Sequence, residues 1–528
     1  GDGTLGDGTL GDGTLGDGTL GDGTLGDGPP LAGPLNVNAA LESLAWAYGA
    51  ERAASRLEPG LWLAVMDQLR LLAAAAERFA PGEEEADAET TLLYQLLAGE
   101  LALVLGSLLP VIKPLRSLRK PAVAALSEGL LAVTDGEGLP PARCLPVWPA
   151  LLACWTRCRA VAKHSGKRAF EPAAEAQYEW LVRQSIRFAR SDGAIALTAG
   201  AKIPRRLWEA AFRFGGDDAD LAAASLRLRP SLKRVDATRE EPPEPSANSE
   251  WSGLAVLAGG WKPNTPRLTV AHEGDHMLLE ATAGGTVILS GAWPVEVSME
   301  GARVATSSAW EEQCWFSDED SDYLELAIEL ANGAKLERQV FLAHDLGVAY
   351  LAEMVLSRAD EVASLELSTR LTLAETVSLN PEAETREGWL VAGDTRLAGA
   401  VPLALPEWRI DHRPGKLTVE DGRLSQTHVA VARNLCSPLL LDFKPTRFAK
   451  QRTWRQLAVA ESLERVGPDV AVGYRYQSGK DQLLIYRSLA KPGNRTVLGQ
   501  NYSSEALIGR FLSTGEVDEY FEIETEQH

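Results

Sequence analysis

The sequence predicts a multidomain chain with an N-terminal α/α helical domain followed by a large antiparallel β-sandwich domain. Apolar residues recur with helical spacing up to about residue 228 and alternate with a period of two beyond residue 250. An acidic, proline-bearing stretch separates the two patterns, and helices followed by many short strands are typical of two packed units. The predicted units are a tail at 1–35, a helical domain at 36–235, a linker at 236–250 and a sandwich at 251–528.

Composition narrows the class of protein. The chain has 528 residues, of which 45% are hydrophobic and 24% charged, as is usual for globular domains. Its net charge of −21 disfavours general attraction to nucleic acid or to an anionic membrane, so neither is expected as a partner. The five cysteines predict no disulfide framework, although a single bridge stays open. Cys154 and Cys158 lie about one helical turn apart, and a buried structural pair is favoured over a zinc site because no second ligand pair is near.

The N-terminal tail is predicted to be disordered. Residues 1–25 are five identical copies of Gly-Asp-Gly-Thr-Leu. Glycine at two of every five positions makes ordering costly, and one leucine per copy buries little apolar surface. The spacing matches neither an Asp-x-Asp-x-Asp-Gly calcium loop nor a nine-residue roll, so no metal is expected there.

The helical domain is predicted to consist of antiparallel hairpins. Leu41, Leu44 and Tyr48 share one helical face, and short loops between consecutive helices favour hairpins. About seven or eight helices would make a partial toroid. Further helices are predicted at 91–109, 121–134, 147–162, 172–190 and 204–213. The most apolar of them contains Gln95 and Glu100 and is short for a membrane span, which favours a buried helix.

The β-domain is organised around residues 322–342. Leucine or isoleucine at every second position from 324 to 330 alternates with Glu325, Ala327 and Glu329, which predicts a half-buried strand. Asn332-Gly333 supplies the positive φ angles of a tight turn, so the following residues are expected to return as the second strand of a hairpin. Other period-two runs, such as the one at 365–373, complete a predicted sandwich.

The same stretch carries a resemblance to a known family. Trp293, Trp310 and Trp315 precede the run Ser317–Leu326, and Leu336-Glu337-Arg338-Gln339 follows it. This pattern resembles the β-domain of heparinase II/III-like proteins, which are relatives of polysaccharide lyases. The resemblance implies a helical toroid with a β-sandwich, and either β-elimination of an acidic polysaccharide or a degenerate form of that activity. The family's compact His-x-His-x-Asp run is absent here.

Candidate catalytic residues lie in the helical domain. A lyase acting on a uronic acid must neutralise the carboxylate, remove the adjacent proton and protonate the leaving oxygen, which are tasks for Arg, His and Tyr. Tyr178, His164 and Arg183 are the candidates. The alternatives are that Tyr178 is a core or rim aromatic and that Arg183 belongs to a solvated basic stripe with Arg187 and Arg190.

The densest titratable cluster in the sequence is His272-Glu273-Gly274-Asp275-His276. On a strand the two histidines would lie about 13 Å apart, which is too far to share a metal. A turn at Gly274 would bring them together, and the residue types favour such a hairpin turn. No metal site and no cofactor are predicted.

Candidate substrate-binding residues lie in the run 443–455, which has five basic and three aromatic residues and no acid. Aromatic rings stack on sugar faces, and arginine binds carboxylate or sulfate through two parallel hydrogen bonds. The predicted binding residues are Lys444, Arg447, Arg452, Trp454 and Arg455. The alternative is a basic strand that pairs with acidic neighbours such as Glu461 and Glu464.

Three functions are therefore considered. The first is an acidic-polysaccharide lyase or a degenerate relative of one, with an acidic polysaccharide as partner. The second is a non-catalytic carbohydrate-binding or scaffold protein, and the third is a helical protein-interaction module fused to a β-domain. The sequence has no phosphate-binding loop with lysine and no Gly-x-Ser-x-Gly elbow, which argues against nucleotide and esterase chemistry.

Overall fold

The computed structural model describes residues 35–80, 87–198, 202–228, 240–358 and 362–524. Helices come first and antiparallel strands follow, which confirms the predicted fold class. Val37–His528 forms one compact unit. Residues 1–34 lie outside the described residues, so the disorder of the repeat tail stays a prediction.

The helices match the predicted ones to within a few residues, apart from two that were not predicted, a short one at Lys113–Arg116 and one at Asp218–Arg227. Side-chain caps mark the start of some of them: Asp87 accepts from two backbone N–H groups of α3, and Asp217 and Asp220 form a reciprocal capping box at α10. The helices are α1 Val37–Ala54, α2 Pro59–Ala75, α3 Ala88–Tyr94, α4 Ala102–Leu108, α5 Lys113–Arg116, α6 Arg119–Val133, α7 Trp148–His164, α8 Pro172–Phe188, α9 Arg205–Gly215 and α10 Asp218–Arg227.

A π-helical stretch, Gln95–Leu101, joins α3 to α4 and is buried throughout. Gln95 donates to the carbonyl of Ala125 at 3.1 Å and accepts from Trp155 Nε1 at 2.8 Å. Glu100 accepts two hydrogen bonds from Arg157, at 2.6 and 2.7 Å. The polar side chains that interrupt this apolar helix are thus satisfied inside the fold, as buried polar groups must be.

Ala88–Leu108, the segment that contains this stretch, is the one candidate membrane span among the described residues by length and composition, and 78% of its most apolar window is buried inside the fold.

The described residues of the β half form five sheets, and all their strand pairs are antiparallel. The strands are β1 Ala247–Ser249, β2 Leu254–Ala258, β3 Arg267–Glu273, β4 His276–Ala283, β5 Thr286–Ala292, β6 Val295–Met299, β7 Ala302–Val304, β8 Glu311–Ser317, β9 Ser321–Glu329, β10 Lys335–Ala343, β11 Val348–Leu356, β12 Ala363–Thr372, β13 Val377–Pro381, β14 Gly388–Ala392, β15 Thr395–Pro402, β16 Gly415–Glu420, β17 Arg423–Ala432, β18 Leu435–Asp442, β19 Arg452–Leu457, β20 Ala460–Glu461, β21 Glu464–Arg465, β22 Ala471–Ser478, β23 Asp481–Ser488, β24 Arg495–Val497, β25 Gln500–Tyr502, β26 Ala506–Phe511 and β27 Val517–Ile523. The largest sheet has the order β13-β14-β15-β18-β11-β10-β9-β8. Two of the other sheets, β1-β2-β3-β4-β5 and β16-β17-β12-β6-β7, contribute to the core on one of its faces, and β19-β22-β23-β26-β27 covers the other.

The predicted hairpin forms at the centre of this architecture. β9 and β10 pair along their whole length, and Gly333 in the turn has φ +82°. The expectation of a half-buried strand is wrong, because Glu325 and Ala327 are each only 4% exposed. The polar face of the strand packs against another sheet instead of water, and Arg487 from β23 neutralises Glu325 there. Alternation of polar and apolar residues does not distinguish these two environments.

The helical and β halves are joined at Glu280, a buried residue of β4. Its carboxylate accepts from Arg190 Nε at 2.7 Å, from the Leu197 backbone N–H at 3.0 Å and from Ser290 Oγ at 3.0 Å. A buried charge needs such partners, since unpaired burial is costly. Glu280 therefore joins residues of both halves through one carboxylate.

The second part of the predicted linker, residues 240–250, is packed against its neighbours. Arg187 on α8 donates to the Glu244 carbonyl at 3.0 Å, and Trp261 in the β half donates to the Pro243 carbonyl at 2.6 Å. β1 lies in this stretch and pairs with β2. The boundaries at 235 and 251 stay a prediction.

We expect stability to depend on pH through His344, which follows β10. Its Nε2 lies 2.8 Å from Asp322 Oδ2, and its Nδ1 lies 3.0 Å from the Glu319 carbonyl. Burial alone would lower the pKa of His344, but the hydrogen bond and charge of Asp322 raise it. A raised folded-state pKa adds stability that is complete below the unfolded value of about 6.5 and is lost as pH rises through the folded value.

The free energy of unfolding from urea titrations should therefore fall above about pH 6.5 in the parent protein. The His344→Gln variant keeps a hydrogen-bond donor towards Asp322 but does not titrate, so this component of the pH dependence should vanish. Parallel pH curves for the two proteins would contradict the assignment.

Candidate functional site

Tyr178 lies in the core of the helical half. It is fully buried, its hydroxyl lies 2.9 Å from Thr156 Oγ1, and its ring stacks on Phe170 with centroids 5.8 Å apart. Burial raises the pKa of Tyr178 to about 12, which keeps the phenol protonated at neutral pH. These features favour the core alternative for Tyr178.

His164 and Arg183 lie apart from the Tyr178 hydroxyl. His164 is exposed at the end of α7, eight residues beyond Thr156 and therefore about 12 Å further along the helix axis. Arg183 binds Asp220 at 2.7 Å and Asp217 at 2.5 Å. The three predicted catalytic residues thus do not converge on one reacting atom, and their catalytic role stays a prediction.

Three of the five predicted substrate-binding residues are buried. Arg447 binds Asp442 through Nε at 2.9 Å and Nη2 at 2.5 Å, because the helical turn at Pro445–Arg447 folds it back. Arg452 binds Glu387 at 3.1 Å, and Trp454 Nε1 donates to the Leu405 carbonyl at 2.9 Å.

The other two predicted binding residues can be reached from solvent. Lys444 is half-buried, with its Nζ 2.9 Å from the Asp345 carbonyl, and Arg455 is exposed. The acidic partners of the run are Asp442, Asp481 and Glu387 rather than the expected Glu461 and Glu464.

A pocket with a clear positive excess lies in the helical half, where α7, α8 and α9 meet. We call it the basic pocket, and its volume is about 250 Å³. Arg159, Lys163 and Lys167 line it from α7 and the turn that follows, and Arg213 and Phe214 line it from α9. Among the described residues that line it, Glu175 on α8 is the single carboxylate, and it pairs with Arg159. The described lining of the basic pocket thus carries four cations and one carboxylate.

The cations of the basic pocket differ in how they are held. Arg159 is fixed, because it also donates to the Phe214 carbonyl at 2.6 Å. Lys163 lies over the Phe214 ring, with Nζ 5.5 Å from its centroid. Within the described part of the chain, Lys163, Lys167 and Arg213 form no ion pair. Three positive charges are therefore available to an anionic ligand.

A second pocket adjoins the basic pocket and shares Arg213 and Phe214 with it. Its volume is about 420 Å³, and Trp180 and Arg183 line it together with Asp217 and other residues. Trp180 is 38% exposed, so part of its ring can meet a ligand. The two pockets form a continuous depression along α8, with cations at one end and an aromatic face at the other. The aromatic end also contains the carboxylates of Glu179, Asp217 and Asp220.

Tyr178 supports this depression from below. A Cβ at Gly215 would lie 2.7 Å from the Tyr178 ring, so glycine is needed for α9 to approach. The guanidinium of Arg159 lies over the same ring, 5.5 Å from its centroid. Tyr178 therefore positions both Arg159 and the end of α9 that carries Arg213 and Phe214.

The basic pocket had a sequence signal that was missed. No Asp or Glu occurs from residue 138 to 170, whereas six Lys or Arg residues and His164 do. Arg159, Lys163 and Lys167 are spaced four apart, which places them on one face of a helix and its next turn. The acid-free criterion that selected residues 443–455 therefore selects this segment as well.

The His272–His276 cluster forms the expected hairpin turn. Glu273 and His276 pair as the last and first residues of β3 and β4, and Gly274 has φ +58°. The residues His272-Glu273-Gly274-Asp275-His276 match the motif His-Glu-x-x-His. That motif binds zinc only when both histidines lie on one face of a helix, whereas here they flank a β-turn. Burial lowers the pKa of His272 to about 4, and His276 is exposed. Among the described residues no three His, Cys, Asp or Glu side chains are grouped as a metal would require, and none of the five cysteines forms a disulfide.

The fold defines a class of protein in which a helical half precedes several antiparallel sheets. No protein-family model and no curated protein matches the chain. Solved structures do match. The heparan sulfate lyase HepC from Pedobacter heparinus has a TM-score of 0.59 at 11% identity, covering 85% of this chain and 74% of that one.

Two heparinase III structures match in the same way. One has a TM-score of 0.60 at 10% identity over 88% of this chain and 77% of its own, and the other has 0.57 at 10% over 85% and 74%. This chain thus has the fold of heparinase III and heparan sulfate lyase structures, which confirms the resemblance at the level of fold.

Proposed function

We propose that the protein binds acidic polysaccharide and that the basic pocket is the capture site. The observation that carries this proposal is the excess of four cations over one carboxylate in a chain of net charge −21. Such a chain repels a polyanion at long range, so capture needs a local positive excess within about 8 Å, the Debye length at physiological salt. The name of the structurally similar heparan sulfate lyase points to the same class of ligand.

The chemistry of the pocket suits a sugar acid. Arg213 can bind a carboxylate or sulfate through two parallel hydrogen bonds, and Lys163 and Lys167 act as point charges. Phe214 and the adjoining Trp180 offer rings for the apolar faces of sugar units. Charge and stacking at neighbouring positions favour a polymer over a free anion.

β-Elimination is the second candidate function. It is supported by the fold and by Arg183, which lines the depression, whereas Tyr178 and His164 do not line it. Tyr178 would have to become accessible and lose its proton, and its buried hydroxyl and raised pKa oppose both. We therefore favour binding without turnover. The binding site would lie on the helical half, which we expect to be a partial toroid.

We expect the variant Lys163→Ala/Lys167→Ala/Arg213→Ala to bind heparin at least tenfold more weakly than the parent at low salt. Each lost contact removes a cation that releases counterions from the polyanion, so the salt dependence should also become shallower, by about one unit of logarithmic slope per contact. Isothermal titration with heparin and with alginate at several salt concentrations measures both quantities.

The matched control is Lys444→Ala/Lys450→Ala/Arg455→Ala, which removes the same charge from accessible positions of the run 443–455. Loss of binding in the control and not in the pocket variant would move the capture site to that run. Absence of binding in the parent would refute the proposal. Ultraviolet absorbance from an unsaturated uronate product, formed by the parent and lost in Tyr178→Phe, would establish elimination instead.

A further inference from the structure

A cavity that is separate from both pockets of the helical half lies where three sheets of the β half meet. Its volume is about 170 Å³. β17 contributes one wall, β18 and β22 contribute others, and the loop before β16 closes it. Its apolar lining includes Leu405, Pro406, Pro414, Val429, Val472 and Tyr474.

His428 on β17 is the one imidazole that lines this cavity within the described residues. Its Nδ1 lies 3.1 Å from the Cys436 carbonyl, which can only accept, so Nδ1 carries the proton. Burial lowers the pKa of His428 to about 4, with the Cys436 carbonyl and the Arg413 charge as smaller influences. The ring is therefore neutral at pH 7, and Nε2 holds a lone pair that can accept a hydrogen bond.

The other polar side chains around the cavity are hydrogen-bonded or exposed. Tyr474 and Cys436 hydrogen-bond to each other, and Gln456 is exposed. Asn434 accepts from the Ser357 backbone N–H at 2.9 Å and donates to the Asp469 and Leu489 carbonyls, both at 2.8 Å. Arg413, at the mouth, pairs with Asp411 at 2.9 Å. His428 Nε2 is thus the acceptor that the cavity offers to a ligand.

We propose that this cavity binds a small aromatic molecule that carries one hydrogen-bond donor, such as a phenol. An apolar cavity of about 150 Å³ is known to be large enough for benzene, so one aromatic ring fits. The walls remove the ring from water, and His428 Nε2 accepts from the ligand's hydroxyl or N–H. The ligand class is set by this combination of an apolar volume and one neutral acceptor.

The hydrogen bond to His428 predicts selectivity among rings of similar size. A neutral hydrogen bond contributes about 1 kcal/mol net, which corresponds to about a fivefold difference in affinity. Phenol should therefore bind the full-length protein about fivefold more tightly than benzene. The variant His428→Phe should remove that preference, because it keeps a ring of similar shape and loses the acceptor.

Saturation-transfer NMR titrations of phenol and benzene against the full chain test this proposal. Ala432→Leu fills the cavity and should abolish binding of both ligands. Val431→Leu is the control, because Val431 is 77% exposed on the same strand and does not line the cavity. If Ala432→Leu or His428→Phe fails to fold, the affinities of the parent for phenol and for benzene still test the predicted preference for a hydrogen-bond donor.

Two outcomes would overturn the proposal. Absence of transfer to either ligand, or transfer that survives in a folded Ala432→Leu protein, would show that the cavity binds no ring. Equal affinity for phenol and benzene in the parent would refute the role of His428. A fivefold preference that is retained in Val431→Leu and lost in His428→Phe would establish the site.

Discussion

Replacement of Arg487 by alanine is expected to lower the free energy of unfolding by about 3–5 kcal/mol. Arg487 is 1% exposed, and its guanidinium lies 2.7 Å from Glu337 and 3.2 Å from Glu325. Both carboxylates belong to the central β9–β10 hairpin, and the substitution would leave Glu325 buried without a counter-charge and Glu337 with Lys335 alone. Urea unfolding at neutral pH measures the loss.

The same variant should lose less stability at low pH. Burial would raise the pKa of Glu337, but the charges of Arg487 and Lys335 lower it below its usual value. A lowered folded-state pKa contributes stability above the unfolded value of about 4.3, and that contribution is lost as pH falls through the folded value. The parent and Arg487→Ala should therefore converge in acid.

Arg358→Ala is the matched control for Arg487→Ala. Arg358 pairs with Glu329 on the same hairpin at 2.9 Å, but its side chain is 74% exposed. Exposed pairs contribute about 0–1 kcal/mol, so this variant should stay close to the parent. Equal losses in the two variants would contradict the importance that we assign to burial.

The second large effect is expected at the junction of the two halves. Glu280→Ala should cost about 3–5 kcal/mol, because it leaves the Arg190 guanidinium and the Leu197 backbone N–H without their acceptor in a buried position. We also expect the helical and β halves to unfold in separate steps. Differential scanning calorimetry should then resolve two transitions where the parent has one.

Limited proteolysis gives an independent measure of the same effect. Cleavage in Glu280→Ala should concentrate at 240–250, since these residues contact both halves and lose support when the halves separate. Glu280→Gln is the control that keeps the shape and one acceptor oxygen. A single unchanged transition in Glu280→Ala would mean that the junction does not depend on this carboxylate.

The order and type of the elements could be predicted because they depend on local pattern. Most helices after residue 90, though not α5 and α10, follow from apolar spacing, and the β9–β10 hairpin follows from alternation and the Asn332-Gly333 turn. What could not be predicted was which faces are buried. Glu325 looks like a solvent-facing residue in sequence, but its partner Arg487 is 162 residues away. Long-range ion pairs leave no local signature.

Long-range ion pairs also explain why most of the predicted substrate-binding residues are buried. The run 443–455 contains no acid in sequence, but Arg447 and Arg452 meet Asp442 and Glu387 in space. Basic residues can bind an anionic ligand only when they do not already form ion pairs within the folded chain. The basic pocket combines α7, α8 and α9, so its helical stripe was visible in sequence while its Arg213 was not.

The π-helical stretch Gln95–Leu101 restricts insertions and deletions in this helix. A π-helical turn holds one residue more than an α-helical turn, and each α-helical residue turns the chain by about 100°. Deleting one residue here would restore regular α-helix and rotate α4 by about that angle relative to α3. Glu100 would then leave Arg157, and Gln95 would leave the space that Gly129 keeps open for its amide. Surface loops absorb changes of length at little cost; in this helix the number of residues is set by the geometry of its neighbours.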